Sequence, residues 1–200
     1  MARPQAADYA DKREAILDMA AELFARRGFA GASLADLAEA SGYSKSSLYH
    51  YFGDKQAILY QAMQAHLAEL TAIADTAMDV ALPPEQQLRR FARATMRAYA
   101  TARWKHRLLV NETASLAPAE RRQVVAAQRA LVQRVADLLE RLRPSANVAE
   151  RWPNAMLFYG MLNFTYTWYD PAGAVTPEAL ADQAVSIFLN GFGTKKTAAE

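Results

Sequence analysis

Apolar residues recur at intervals of three and four along almost the whole chain, a spacing that predicts helices rather than strands. Gly and Pro interrupt this pattern where a helix would be expected to end, at Gly28, Gly42, Gly53, Pro83-Pro84, Pro118, Pro144 and Pro171. The pattern predicts an all-α fold of about nine helices. Outside the short pair described next, the predicted helices run from Tyr9 or Asp11 to Arg27, Lys55 to about Ala81, Glu85 to about Trp104, Trp104 to Leu116, Pro118 to about Arg141, Ala149 to Tyr169 and Pro177 to about Phe192, with loose tails at 1–9 and 193–200.

Two short helices between residues 33 and 52 are predicted in more detail than the rest. Ser33 and Asp36 fit a capping box, which marks a helix start, and Gly42 offers a left-handed stop. Ser44 can cap a second helix that buries Leu48 and Phe52. Two short helices joined by a tight turn with a glycine make a helix-turn-helix, whose second helix enters the major groove of DNA.

The outward side of the second helix carries polar and amphipathic side chains and no acidic residue. Hydroxyl groups and lysine suit phosphate oxygens, and aromatic rings can pack on sugars or thymine methyl groups. Periodicity alone leaves open a small helical hairpin with a solvated polar face. The residues that support DNA binding are Lys45, Ser46, Ser47, Tyr49, His50 and Tyr51.

Residues 13–60 resemble the N-terminal DNA-binding domain of the TetR family of transcriptional regulators. The resemblance rests on Ile16-Leu17, Ala20, Leu23-Phe24, Gly28-Phe29, Ser33, Leu37-Ala38, Gly42, Ser44, Leu48-Tyr49, Tyr51-Phe52, Lys55 and Leu59. It implies a double-stranded DNA operator as partner. The predicted DNA-binding residues are Ser33, Tyr43, Ser44, Lys45, Ser46, Ser47, Tyr49, His50, Tyr51 and Lys55.

Composition narrows the class of protein further. The chain has 200 residues, 52% of them hydrophobic, and no cysteine, which excludes disulfides and thiolate metal sites. It contains no uncharged apolar run of 18 residues, and its N-terminus is polar, so neither a membrane span nor a signal peptide is expected. We therefore expect a cytoplasmic protein with no membrane partner, no metal and no cofactor.

Net charge says little about DNA binding here. The total is +2, yet residues 1–60 carry 7 basic and 8 acidic residues, whereas residues 84–145 carry 13 basic and 5 acidic residues. The basic surplus therefore lies outside the helix-turn-helix, and the prediction of DNA binding rests on the motif.

The last two predicted helices are too apolar to lie on the surface of a monomer. The eighth is apolar on nearly all sides, and the ninth has a broad apolar face. Such helices lie in a core or in an interface, and pairing with a second copy would make a homodimer with a four-helix interface. The alternative is a thick monomeric core. The family resemblance also implies a dimer, and the predicted domains are 1–54 for DNA binding and 55–200 for ligand binding and dimerisation.

A regulator of this kind needs a site for a small-molecule effector. A few polar groups within an apolar wall are typical of such a site, although each candidate could equally belong to the core or the interface. The predicted ligand-binding residues are Met96, Tyr99, Arg103, Asn111, Glu112, Tyr159, Asn163, Tyr166 and Trp168.

Two stretches, 106–122 and 160–173, are similar to KstR-like members of the family, which respond to acyl-CoA thioesters. The arginine surplus in residues 84–145 fits the phosphates of CoA, and a solvated basic face is the competing interpretation. The expected function is therefore a ligand-responsive repressor, released from DNA when an acyl-CoA or a similar effector moves the fourth helix.

Three other functions are alternatives to the repressor. No enzyme is expected, because His50, His66 and His106 lie far apart in the sequence and match no catalytic or metal-binding spacing. A DNA-binding or architectural protein without an effector would share the same N-terminal motif. The sequence also leaves open that the protein activates transcription.

Overall fold

The computed structural model of the protein describes residues 3–79, 81–145 and 147–192. These ranges contain nine α-helices, three short 3-10 helices and no strand, which confirms the predicted all-α fold. The α-helices are α1 Arg3–Arg27, α2 Leu34–Ser41, α3 Lys45–Phe52, α4 Lys55–Ala77, α5 Pro84–Thr101, α6 Arg103–Asn111, α7 Pro118–Leu142, α8 Arg151–Asn163 and α9 Pro177–Phe192. The 3-10 helices are Thr113–Ser115, Val148–Glu150 and Phe164–Thr167.

The predicted start of the first helix was wrong. Helix α1 begins at Arg3 rather than at Tyr9 or Asp11, so the stretch predicted as a loose tail is largely helical. Pro4 does not prevent this, because a proline in the first turn lacks only an N–H that has no partner within the helix. The predicted tail at 193–200 lies outside the described residues.

Four helices, α4, α5, α6 and α8, end earlier than predicted. At the ends of α4, α6 and α8 a side chain replaces helical hydrogen bonds. Asp79 ends α4, since its carboxylate accepts the N–H of Ala81 at 3.0 Å. Thr113 follows α6 and donates to the carbonyl of Leu109 at 2.8 Å. Thr165 follows α8 and donates to the carbonyl of Leu162 at 2.6 Å. Asp and Thr side chains compete with the helical ladder in this way, a choice that apolar periodicity does not reveal.

The chain packs as two compact units. The first contains Met1–Ala68 and Ala102–Ala126, and the second contains Glu69–Thr101 and Ala127–Glu200. Helices α4 and α7 therefore contribute residues to both units. The predicted domain boundary between residues 54 and 55 stays a prediction, because it concerns function whereas the units are defined by packing.

The first unit is built on the predicted inner faces of α1, α3 and α4. Ile16 and Phe24 of α1 are fully buried, as are Leu48 of α3 and Ile58 of α4. Burial of each such side chain contributes about 1.5–3 kcal/mol. Within the unit, this core fixes the position of α3 against α1 and α4.

In the second unit, α5 lies antiparallel to α9 along a row of polar contacts. Arg93 binds both carboxylate oxygens of Asp182 at 2.7 Å, and Arg97 reaches Glu178 at 3.1 Å. One turn earlier, Arg89 donates to the hydroxyl of Ser186 at 3.3 Å. Beneath the row, the predicted inner face of α5 is buried, as expected, at Leu88, Phe91, Ala92, Thr95, Met96 and Tyr99.

Candidate DNA-binding surface and effector region

Helix α3 presents one open polar face. Lys45, Ser46, Tyr49 and His50 are exposed, and Tyr49 keeps 54% of its surface accessible. The opposite side of the helix is buried through Leu48 and Phe52. The structure therefore brings together four predicted DNA-binding residues on a face that has hydroxyl, imidazole and ammonium groups and no carboxylate.

Two of the predicted serines cap helices. Ser33 and Asp36 form the complete capping box, in which the N–H of Asp36 donates to Ser33 Oγ at 3.2 Å and the N–H of Ser33 donates to Asp36 Oδ2 at 2.8 Å. The hydrogen bond from the Ser33 hydroxyl, and to a smaller extent the one from the Ser33 N–H, hold the pKa of Asp36 below its ordinary value. Ser44 caps α3, since Oγ accepts the N–H of Ser47 at 3.1 Å. Gly42 takes the predicted left-handed conformation, with φ 70°.

Tyr51 and Tyr43 belong to an aromatic cluster as well as to the predicted DNA surface. The Tyr51 ring lies 4.7 Å from Tyr9 and 6.4 Å from Tyr43, measured between ring centroids. Both Tyr43 and Tyr51 are half-buried. Their rings therefore pack α3 against α1, a role for which Tyr9 gave no local signal in the sequence.

Lys55, predicted to contact DNA phosphate, is turned toward the protein. Its ammonium donates to the carbonyl oxygens of Phe29 and Ala32, each at 2.8 Å, and lies 4.2 Å from the centre of the Phe29 ring. Two of the three ammonium N–H donors are thus used inside the first unit.

Glu112, predicted as a ligand-binding residue, also lies within the first unit. Its Oε1 accepts the backbone N–H of Phe29 at 3.2 Å, and its Oε2 accepts the hydroxyl of Ser115 at 2.7 Å. The carbonyl of Ser115 in turn accepts Gln56 Nε2 at 3.0 Å. Segment 102–126 is therefore joined to the turn before α2 and to the start of α4 by hydrogen bonds that the sequence did not indicate.

Helix α6 is joined to α1 by a buried lysine. The side chain of Lys105 is 8% exposed, and its ammonium pairs with Glu14 and, at 2.7 Å, with Asp18. Burial alone would lower the pKa of Lys105, but hydrogen bonds to Asp18 and Glu14 outweigh it and raise the pKa above its ordinary value. Lys105 therefore stays charged and fixes α6 to α1.

Arg103 and Asn111 belong to the first unit as well. The Trp104 ring lies between two guanidinium groups, at 4.6 Å from that of Arg103 and 4.8 Å from that of Arg26. Asn111 is exposed at the end of α6. The predicted ligand-binding set is thus divided between the two units.

Two histidines that are far apart in the sequence meet in the structure. Nε2 of His66 lies 3.4 Å from Nδ1 of His106, and both rings are buried. Their separation of 40 positions in the sequence did not indicate this contact. Among the described residues, no group of three or more His, Asp or Glu side chains is arranged to hold a metal ion.

Four of the predicted ligand-binding residues come together inside the second unit. The hydroxyl of Tyr99 donates to Asn163 Oδ1 at 2.7 Å, and the hydroxyl of Tyr159 donates to the carbonyl of Leu131 at 3.2 Å. Met96 is fully buried beside them, with its sulfur 3.8 Å from the hydroxyl of Thr165. Polar groups are thus placed within an apolar wall, as a ligand site requires.

Burial keeps both tyrosine hydroxyls of this group protonated. It raises the pKa of Tyr99 well above its ordinary value, with the neighbouring Tyr159 adding to the effect. Burial also raises the pKa of Tyr159. Both side chains therefore act as neutral hydrogen-bond donors at physiological pH.

Two other predicted ligand-binding residues, Tyr166 and Trp168, and one residue that was not predicted, Thr95, also lie in the second unit. Tyr166 is half-buried, like Asn163, whereas Trp168 is 59% exposed and does not belong to the buried group. Thr95, one turn before Tyr99 on α5, was not predicted as a ligand residue. Its Oγ1 is buried and has no hydrogen-bond partner among the described residues, and a buried hydroxyl without a partner is costly.

Two models of known protein families match this chain. Residues 81–192 match the family model described as "Tetracyclin repressor-like, C-terminal domain", and residues 16–62 match the model described as "Bacterial regulatory proteins, tetR family". The chain belongs to the TetR family. It is a DNA-binding transcriptional regulator and not an enzyme.

Several proteins are similar to this TetR-family chain over nearly its whole length. The HTH-type transcriptional repressor KstR2 of Rhodococcus jostii RHA1 is 26% identical, over 97% of this chain and 98% of that protein. A TetR-family regulator from Bordetella parapertussis 12822 has a crystal structure with a TM-score of 0.86 and 36% identity, covering 93% of this chain and 98% of that chain.

A third protein shares the fold at lower identity. The crystal structure of AibR in complex with isovaleryl coenzyme A and operator DNA has a TM-score of 0.76 and 24% identity, covering 88% of this chain and 97% of that one.

In the parts of the present chain that the structure describes, no helix combines the length and apolarity needed to cross a membrane.

Proposed function

We propose that this TetR-family regulator is a ligand-responsive repressor that binds a pseudo-palindromic operator as a homodimer and leaves it when a hydrophobic or acyl-CoA-type effector binds. The observation that carries the DNA-binding part is the open, acid-free face of α3, whose start is capped by Ser44. Each remaining part of the proposal is supported by a different region of the chain.

The exposed residues of α3 divide into two kinds of DNA contact. Lys45 stands at the first position of the helix, where an ammonium group suits a phosphate oxygen. Tyr49 and His50 extend from the exposed face further along, where a phenol and an imidazole suit base edges and sugars. Contacts of the first kind provide affinity that depends on salt, and contacts of the second kind provide specificity.

The homodimer is supported by an apolar surface on α8 and α9. Met156, Leu157 and Phe164 are 49%, 65% and 64% exposed, and Ile187 on α9 is 58% exposed. The other side of α8 is buried within the chain through Ala155, Phe158, Tyr159 and Leu162. Adjacent exposed apolar side chains of this size mark an interaction surface, and we assign it to a second copy of the chain.

Small residues on the same surface fit a close helix pairing. Gly160 of α8 is exposed between Leu157 and Phe164, and Ala184 of α9 is half-buried one turn before Ile187. A twofold axis through this surface would pair α8 and α9 with their copies in a four-helix interface. The dimer would then present two recognition helices to two half-sites of an operator.

The effector site is assigned to the buried group of the second unit. Tyr99 and Tyr159 provide neutral hydroxyl groups, Asn163 an amide and Thr95 a hydroxyl that lacks a partner, among apolar neighbours that include Met96. A carbonyl oxygen on a hydrophobic chain, such as that of a thioester, could accept hydrogen bonds from such groups.

The acyl-CoA class is supported by the relatives and by the exposed arginines. AibR is described in complex with isovaleryl coenzyme A, and KstR2 is similar over nearly the whole chain. Among the exposed arginines, Arg129 belongs to the same unit as the buried group, and a guanidinium group is suited to phosphate groups. The ammonium group of Lys105 is not available to a phosphate group, because Glu14 and Asp18 already bind it.

Release of DNA requires only that the effector bind one of two states more tightly than the other. Helix α4 and helix α7 each contribute residues to both units. We therefore propose that these two helices connect effector binding to the spacing of the recognition helices.

Fluorescence anisotropy tests the proposal. A labelled duplex from upstream of the gene is titrated with wild type, Lys45→Ala and Tyr49→Ala at fixed salt, and isovaleryl-CoA and longer, aromatic and polycyclic acyl-CoAs are added to the preformed complex. Tight binding that both substitutions weaken and one thioester reverses supports the repressor. Tight binding that no thioester disturbs would overturn the effector class and keep the DNA-binding function.

A further inference from the structure

The turn between α1 and α2, residues 28–32, is held from the side of α4 by Lys55. The ammonium group binds the carbonyl oxygens of Phe29 and Ala32, each at 2.8 Å, and lies over the Phe29 ring. Hydrogen bonds from a charged donor to two neutral acceptors are stronger than those between neutral groups. Lys55 therefore fixes the start and the end of the turn at once.

The same turn is held by a carboxylate from the end of α6. Oε1 of Glu112 accepts the N–H of Phe29 at 3.2 Å, and Ser115 binds the other oxygen of this carboxylate at 2.7 Å. Phe29 thus gives its N–H to an anion and its carbonyl to a cation. Lys55 and Glu112 bind complementary groups of one residue, and we call the pair the turn clamp.

The position of this turn decides where α2 begins. Ser33, the cap of α2, directly follows Ala32, so a shift of the turn moves the first helix of the helix-turn-helix. The turn depends on two glycines. Gly28 takes a left-handed φ of 77°, and a side chain on Gly31 would lie 2.8 Å from the carbonyl oxygen of Arg27.

We propose that Lys55 and Glu112 are positioning residues for operator binding: they clamp the 28–32 turn and so set the pose of the helix-turn-helix, and neither residue contacts phosphate or effector. This assignment replaces the roles that sequence predicted for them, a phosphate contact for Lys55 and a ligand contact for Glu112. It depends only on the DNA-binding function of the family.

Salt dependence separates a positioning lysine from a phosphate-binding lysine. Each phosphate contact contributes about 0.9 to the slope of log K against log salt concentration, because neutralising a phosphate releases counterions. Loss of a phosphate contact therefore lowers both the affinity and the slope. Loss of a positioning residue lowers the affinity at every salt concentration and leaves the slope unchanged.

The experiment compares Lys55→Met with Lys45→Met on the same operator duplex from 50 to 300 mM salt. Methionine keeps the apolar stem of either lysine and removes its charge. We expect Lys55→Met to weaken binding about tenfold with an unchanged slope. We expect Lys45→Met, the matched control on the exposed face of α3, to lower the magnitude of the slope by about 0.9. An equal fall in the slope for Lys55→Met would overturn the proposal.

Three further variants keep the test decisive if Lys55→Met unfolds. Lys55→Arg retains the charge but cannot place one nitrogen between the two carbonyls, so a clamp predicts weaker binding and a phosphate contact predicts unchanged binding. Glu112→Ala removes the acceptor for the Phe29 N–H, and Glu112→Gln restores an oxygen acceptor. We expect Glu112→Ala to weaken operator binding about tenfold, also without a change in slope, and Glu112→Gln to recover most of it. Wild-type operator affinity in either Lys55→Arg or Glu112→Ala would refute the clamp.

Discussion

The proposed dimer makes a quantitative prediction for Leu157. This side chain is 65% exposed in the single chain, so its replacement leaves the fold of the monomer intact and acts on association alone. Leu157→Ala removes most of the apolar surface that the partner would cover. Leu157→Glu places a carboxylate in the same position, where burial without a partner is strongly unfavourable.

The magnitude follows from the area that remains to be buried. Complete burial of a leucine side chain is worth about 1.5–3 kcal/mol, of which roughly two thirds is still to be gained here, or about 1–2 kcal/mol. A twofold axis brings two copies of Leu157 to the interface, so Leu157→Ala is expected to cost about 2–4 kcal/mol. At 1.4 kcal/mol for each factor of ten, the dimer dissociation constant rises by on the order of 10².

Analytical ultracentrifugation over a range of protein concentrations measures this constant. Val110→Ala is the matched control, because Val110 is an exposed apolar residue of α6, outside α8 and α9. We expect wild type and Val110→Ala to be dimeric at micromolar concentration and Leu157→Glu to be monomeric with unchanged circular dichroism. A dimer constant for Leu157→Glu within about threefold of wild type would refute the assignment of this surface to a second copy.

Three further predictions concern particular side chains. Ser44→Ala removes the cap of α3 and should lower stability by about 1 kcal/mol in urea denaturation, with weaker operator binding, and unchanged stability would show that the cap contributes nothing. Hydrogen bonds from Arg93 hold the pKa of Asp182 below its ordinary value; the stability that the carboxylate contributes is therefore present above the unfolded pKa and is lost as pH falls through the folded pKa. The melting temperatures of wild type and Asp182→Asn should thus differ at pH 7, and the difference should begin to shrink below about pH 4 and vanish below the lowered folded pKa of Asp182; a difference that stays constant throughout this acid range would contradict this origin. Tyr99→Phe removes the donor to Asn163 and should lower stability by about 1 kcal/mol and weaken effector-induced release of DNA, whereas an unaltered response to effector would remove Tyr99 from the site.

The sequence alone determined the elements whose signals are local. The start of α2 was predicted from Ser33 and Asp36, three positions apart, and the end of α2 from Gly42, and the structure has both. The inner faces of α3 and α5 were predicted from spacings of three and four, since helix geometry places such residues on one side. The ends of α4, α6 and α8 were predicted too late, next to prolines, because aspartate and threonine side chains before each proline take over backbone groups.

Only the tertiary structure decided which polar residues are open to a partner. Lys55 and Lys45 have the same side chain and lie close together in the sequence, yet one binds two carbonyl groups inside the first unit and the other is exposed. Glu112 bonds to a residue 83 positions away. Contacts at such a distance leave no periodic or spacing signal, because the fold and not the local chain brings the groups together. The recognition helix could therefore be predicted from sequence, whereas the clamp that positions it could not.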